Sequence, residues 1–299
     1  MKSTVPLHKS ILLLIWSVVL TGVTVVLGAA PLKPVRLNLG AAPFWMLGLG
    51  LSALFLAFQI PAIGLGLLLF TILIGVWVEF EQRGFSLFQS AASALAATLS
   101  VMVAAVFFLT RKNPVFWQEQ LVVHIEKFIS RLSQMDANLA QTLKAEELAM
   151  QVPSAVVIIF LFSATFVAVF EKPIQKWLGQ ASGKKERLSD FRLPDFFMWL
   201  LISSVFFAFW NGSSKLVSAV ATNVLNVLIV CYFLQGLAVL VRYFQVFRVG
   251  YFWRVLWTLI FTLQLFLVLS FVGVLDYWLD FRKKFLSRSS QAKKRSVSE

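Results

Sequence analysis

Two apolar runs near the C-terminus decide the class of fold open to this chain. Residues 216–241 read LVSAVATNVLNVLIVCYFLQGLAVLV and residues 252–278 read FWRVLWTLIFTLQLFLVLSFVGVLDYW. Each exceeds the roughly 20 apolar residues that span a bilayer's hydrocarbon core, and no small soluble core covers two such helices on every side. The composition agrees. Hydrophobic residues are 59% of the 299 and charged ones 14%, against about 45–50% and about 25% in a soluble domain. The sequence therefore predicts an all-α integral membrane protein, with no room for a large soluble domain. Its net charge of +13 belongs to Lys and Arg flanking spans and filling the tail, which favours anionic lipid over nucleic acid as the partner.

Hydropathy divides the chain into about eight spans: 11–30, 41–58, 61–80, 90–110, 154–170, 195–210, 216–241 and 252–278. The first has a competing reading as a signal peptide, because Gly28-Ala29-Ala30 follows a basic lead. Its length exceeds the roughly 7–15 residues of a signal h-region, so an uncleaved helix is expected, followed by a loop over Pro31–Gly40. The stretch from 41 to 79, almost uncharged up to Glu79, is too long for one crossing and breaks at Gln59-Ile60-Pro61, since proline disfavours helix at the residue before it. Pro153 is expected to start the fifth span and Glu171-Lys172-Pro173 to end it.

Residues 113–152 form the one sizeable polar insertion. Asn113-Pro114 is a helix start, and Leu121, Ile125, Phe128, Leu132, Met135 and Leu139 make a heptad-like apolar seam. Some 35 residues of such a helix would reach roughly 50 Å, so it rests on the membrane, pairs with itself through 115–150, or captures a partner. Residues 283–299 are a basic, polar tail expected to be disordered.

Several polar or small positions inside the spans are candidate sites. Asn223 and Asn226 share a face of the seventh span, Gln235 lies further along it, and Gln264 is in the eighth. Their amides are suited either to a polar solute or to ordinary bonding between helices. Ala92, Ala96 and Ser100 recur every four residues on the fourth span and leave a flat face, for packing within the bundle or for docking a separate membrane protein. Gly48 with Ser52, and Gly64 with Gly66, offer the same on a smaller scale. Asp276, near the end of the last span with Tyr277, Trp278, Arg282 and Lys283 around it, reads as a charged interface anchor or a functional carboxylate. Cys231 reads as a small buried hydrophobe.

Enzyme chemistry finds little support. His8 and His124 lie outside the spans, there is no HExxH and no GxxxxGK[ST] phosphate loop, and no span pairs a nucleophile with a His or Lys base. No cofactor and no metal site is expected, and any ATP-driven role needs a separate ATPase.

Three segments carry a resemblance. Phe191-Arg-Leu-Pro194, Gln235-Gly-Leu-Ala-Val239 and Gly273-Val-Leu-Asp-Tyr-Trp-Leu-Asp-Phe-Arg282 resemble the YybS-like family of bacterial membrane proteins of unknown function (DUF2232). The likeness covers most of the chain in layout and is specific mainly in its last third. By resemblance, the positions of interest are Arg192, Pro194, Gln235, Gly236, Gly273, Asp276 and Arg282. The resemblance also implies a helix arrangement similar to the substrate-binding S-components of energy-coupling-factor transporters and to the rod-shape protein MreD, in a bacterial inner membrane. Two roles follow as expectations: a transport-associated subunit with a polar pocket between the last helices, or an envelope scaffold that recruits partners through 115–150 and the tail.

Eight crossings put both termini on one side, with the cytoplasm expected. That arrangement splits the Lys and Arg residues almost evenly between the faces, with the basic loop 172–192 opposite the basic tail. The two strongest orientation signals thus oppose each other.

Overall fold

The computed structural model describes residues 6–134, 143–179, 190–210 and 212–285. Among them every regular element is helical. The chain divides into two compact units, residues 1–186 and 187–299.

Unit 1 begins with α1 (Leu7–Thr24), which ends where Val25 takes a left-handed φ of 57°, a rare backbone for a β-branched residue. A 3-10 turn over Val26–Ala29 and the short α2 (Leu32–Leu39) follow. The predicted loop over Pro31–Gly40 is therefore mostly helix, and it doubles back. Ser17 Oγ donates to the Gly28 carbonyl at 2.7 Å, and further along Asn38 Nδ2 donates to Ser10 Oγ. The chain advances while its partners on α1 recede, so residues 26–39 return towards the end where α1 began. Gly28 permits this contact, because a Cβ there would overlap the Thr21 side chain. The expected span 11–30 is thus a hairpin limb, and residue 40 is not delivered to the opposite end.

The next three helices follow the sequence closely. α3 (Ala41–Ala57) and α4 (Pro61–Gln82) flank a break with Gln59 at φ 58° and Pro61 at the first helical turn. α5 (Leu87–Thr110) starts at Ser86 in a reciprocal capping box with Gln89, which secures two otherwise orphaned backbone donors. In a bilayer the lipid is as apolar as a Leu-rich core, so helices are held by close packing more than by burial. Small residues carry that packing. A Cβ on Gly48 would strike Thr71, and one on Gly75 would strike Trp45. The core they admit includes Phe44, Phe70, Leu73, Ile74, Trp77, Ala94, Phe160 and Val167.

The insertion differs from the single long helix expected over 113–152. α6 (Pro114–Ser133) is capped by Asn113, whose side chain accepts from Phe116 N at 3.3 Å. None of its described side chains is buried. Met135 and Leu139 of the heptad-like seam lie outside the described residues. Residues 145–152 instead belong to α7 (Ala145–Trp177), which runs through both Pro153 and Pro173. Prolines that end helices in water are tolerated in membrane helices, where local adjustments and neighbouring polar groups re-satisfy the freed backbone.

Unit 2 contains α8 (Phe196–Phe209), α9 (Lys215–Val246), α10 (Tyr251–Leu263) and α11 (Phe266–Leu279). The last expected span, 252–278, is broken: the axes of its two helices meet at 98°. Phe266 stacks on Phe233 in the middle of α9, whereas Phe285, beyond α11, sits 5.5 Å from Tyr243 and 6.2 Å from Phe247 at the end of α9. α11 therefore runs parallel to α9 and returns the chain to the end where α9 left off. Among the described residues, five helices (α1, α4, α5, α7 and α9) are long and apolar enough to cross a membrane, or six if the bent pair counts as one span. α3 and α8 are shorter apolar helices of 17 and 14 residues.

Candidate functional site

The most unusual chemistry in unit 1 sits on α2, the element expected to be a loop. Lys33 is fully buried, and its ammonium bonds two carboxylates: Glu81 Oε1 at 2.7 Å on α4 and Glu171 Oε2 at 2.8 Å on α7. Trp77 Nε1 donates to the same Glu81 oxygen at 2.9 Å, and the Lys33 ammonium lies 4.6 Å from the Trp77 ring centre. Gln175 Nε2 donates to Glu171 Oε1 at 3.0 Å. One turn further on, Arg36 is also buried and faces the half-exposed Glu79 at 3.6 Å.

Each partner has a local reason for its position. Trp77 and Glu81 lie four apart on α4, and Glu171 and Gln175 four apart on α7, so each pair shares a helix face. Because α7 does not stop at 170, Glu171 stays in the helix and points inward instead of marking a boundary. Burying a single ammonium costs several kcal/mol, and only tight pairing offsets it. Here Lys33 faces Glu81 and Glu171 while Arg36 and Arg83 share Glu79, so three cations meet three carboxylates and the group is close to self-neutral. Sequence reasoning missed it. The available signal was Lys33 and Arg36 beside three carboxylates that interrupt otherwise apolar helix ends.

The residues singled out from the sequence in unit 2 mostly serve a helix crossing. Gln235 is buried; its Oε1 accepts from Leu193 N at 3.1 Å and its Nε2 donates to Gly273 O at 3.0 Å. Both ends of the amide are engaged by the protein, and a solute would have to displace them. Gly236 and Gly273 form the crossing itself: a Cβ on Gly236 would overlap the Leu269 carbonyl, and one on Gly273 the Tyr232 carbonyl. Pro194 leads into α8, with its carbonyl accepting from Phe197 N at 3.0 Å. Asn223 Nδ2 bonds Ala219 O on its own helix at 2.8 Å, and Asn226 is half-buried nearby. Gln264 lies exposed at the break between α10 and α11, not within a continuous span.

Asp276 is fully buried, unlike an interface anchor open to water. Its Oδ1 accepts from Phe281 N at 3.1 Å, and its Oδ2 lies 3.2 Å from Arg282 Nη2. Burial pushes the Arg282 guanidinium below its usual range, and the Asp276 carboxylate opposes that shift. Arg192 reaches Asp280 at 3.2 Å. The small face of α5 also differs from expectation. Ser90, Ala94 and Thr98 are buried, whereas Ala92, Ala96 and Ser100 point outward; the face with Gly48 and Ser52 is the buried one on α3. Cys231 is buried, as a small hydrophobe would be. Among the described residues no three His, Cys, Asp or Glu side chains are grouped to hold a metal ion.

Comparison with known proteins gives one match. Residues 10–277 match the family described as a predicted membrane protein, DUF2232. No curated protein and no solved structure matches.

Proposed function

We propose that this chain, which belongs to the DUF2232 family of predicted membrane proteins, is a transport-associated subunit whose polar path passes the Lys33 cluster. One observation carries the reading: a fully buried lysine held between Glu81 and Glu171 in a bundle of apolar helices. Ionisable groups inside a membrane bundle are costly to keep and mark solute or ion pathways. The cluster joins three segments distant in sequence, α2, α4 and α7, so it is placed to sense or permit their separation. The amides of the seventh span are secondary in this reading, because Gln235 is already committed to the helix crossing. A resemblance to transporter S-components fits a subunit that binds a solute and relies on a separate ATPase. If α3, α8 and the bent α10–α11 pair are added to the long helices, eight apolar segments enter the bilayer. The membrane is the bacterial inner one, with the C-terminal end of unit 2 in the cytoplasm. Arg192, Arg242, Arg248, Arg282, Lys283 and Lys284 gather at that end, whereas Lys215 stands at the other.

The test is retention of a solute. Full-length protein would be purified from its own membranes in mild detergent, and bound small molecules identified by native mass spectrometry. A polar solute held by the wild type and lost from the K33M/E81Q/E171Q variant supports the reading. A solute held equally by both, or none in the wild type, sinks it. The scaffold role has an observation of its own, since the described side chains of α6 are all left unburied. Deleting 115–133 would then abolish co-purification of envelope proteins while the bundle stays folded.

A further inference from the structure

The ends of three elements meet in unit 2. Arg242, near the end of α9, lies 3.8 Å from Asp190 ahead of α8. Arg192 lies 3.2 Å from Asp280 beyond α11. Asp280 also accepts from Lys283 at 2.6 Å, so one carboxylate serves two cations. With Arg242, Arg248, Arg282 and Lys284 at the same end, cations outnumber the carboxylates Asp190, Asp195, Asp276 and Asp280. The two cations around Asp280 are open to the surroundings: the Arg192 side chain is 42% exposed and that of Lys283 78%.

Beside this charge stands an aromatic group. Tyr243, Phe247, Phe281 and Phe285 contact one another ring to ring, with Tyr243 and Phe247 centres 4.5 Å apart. Below it, along α11, Trp278 and Phe271 are exposed at 60% and 61%. Cations and aromatic rings together at one end of unit 2, with an exposed apolar helix face leading away from them, match the headgroup and interface and then the acyl region of a leaflet. A free anion would need only the first of these.

We propose that Arg192, Arg242 and Lys283 bind the phosphate of an anionic phospholipid, whose acyl chains lie along the outer face of α11. Asp280 holds the two exposed cations at one point, and the phosphate takes up the positive excess they leave. Zwitterionic lipid, with its own ammonium or choline group, offsets that excess less well.

The experiment uses full-length protein stripped of native lipid in detergent and titrated with dioleoyl phosphatidylglycerol, dioleoyl phosphatidylcholine or inorganic phosphate. Adducts are read by native mass spectrometry. The phosphatidylglycerol adduct is expected to form at least tenfold more tightly than the phosphatidylcholine one. Arg192→Gln and Lys283→Gln should each remove most of that preference, and Lys215→Gln at the opposite end should keep it. Lys283 is mostly exposed, so its variant remains informative if Arg192→Gln fails to fold. Equal binding of the two lipids overturns the proposal, as does an equal loss in Lys215→Gln. Inorganic phosphate that binds as tightly as phosphatidylglycerol would replace the lipid with a free anion and overturn it too.

Discussion

Substituting Lys33 by Met removes the cation that Glu81 and Glu171 share and tests the cluster directly. Met matches the length of the lysine stem, so packing changes little. What is lost is two ion pairs of 2.7 and 2.8 Å and the contact with the Trp77 ring. Glu81 keeps its bond from Trp77 and Glu171 its bond from Gln175, but two carboxylates then face each other in a buried site. Breaking a buried pair from one side costs about 3–5 kcal/mol. At roughly 2–4 °C per kcal/mol for a domain of this size, the melting temperature in detergent should fall by roughly 6–20 °C. Replacing the whole triad, as K33M/E81Q/E171Q, removes the uncompensated charge and should recover most of the loss, since neutral replacement of a buried ion group is often close to neutral. A fall of less than about 2 °C for Lys33→Met, or a triple variant as unstable as the single one, would refute the claim that charge pairing in a low-dielectric site holds α2 in place.

Other outcomes follow from the same geometry. Gly273→Ala places a methyl against the Tyr232 carbonyl and should cost about 1–3 kcal/mol or more by overpacking, seen as a lower melting temperature; an unchanged one would mean that the helices do not cross there. Ala96→Leu lies on the exposed face of α5 and should change the stability of the isolated chain by less than about 0.5 kcal/mol. In a Cys231→Ser background, His8→Cys and Leu39→Cys should react with an impermeant maleimide from the same side, because residues 26–39 return to the end where α1 began; reaction from opposite sides would restore a full crossing for residues 11–30. Asp280 is held below its ordinary value chiefly by the hydrogen bond from Lys283. Its contribution is therefore present above that value and fades as pH falls through the lowered one, so Asp280→Asn and wild type should melt alike in strong acid and differ, slightly, near neutrality.

How much of this was legible from the sequence depends on how far each signal had to reach. Pro61 marked the start of α4 because a helix start is a local event, and the bounds of α8 followed from a run of apolar residues between polar turns. Pro153, expected to start the fifth span, and Pro173, expected to end it, misled for the opposite reason: their local tendency to bound a helix was overridden by the membrane setting of α7. Lys33 looked like a loop residue because its partners lie 48 and 138 positions away, beyond any spacing rule. Gln235 stood out as an amide inside an apolar span, whereas Gly236 and Gly273 could be singled out only by resemblance, and the structure supplies the glycines' physical role as a backbone-to-backbone crossing. The opposed orientation signals came from reading 252–278 as one crossing. With α11 returning beside α9, Arg192 and Asp280 stand together, and in unit 2 the end of the basic loop and the start of the tail share an end.

The distance from Lys33 to Glu171 also sets an order of events during biogenesis. Lys33 emerges from the ribosome 138 residues before the second of its carboxylates. At about 5–20 residues per second, that is a wait of roughly 7–28 s. During that interval the ammonium has no complete set of partners and is better left at the headgroup boundary than drawn inward. Although α2 is made early, it is consequently seated late, and it closes onto α4 and α7 only once the end of α7 has arrived to receive it.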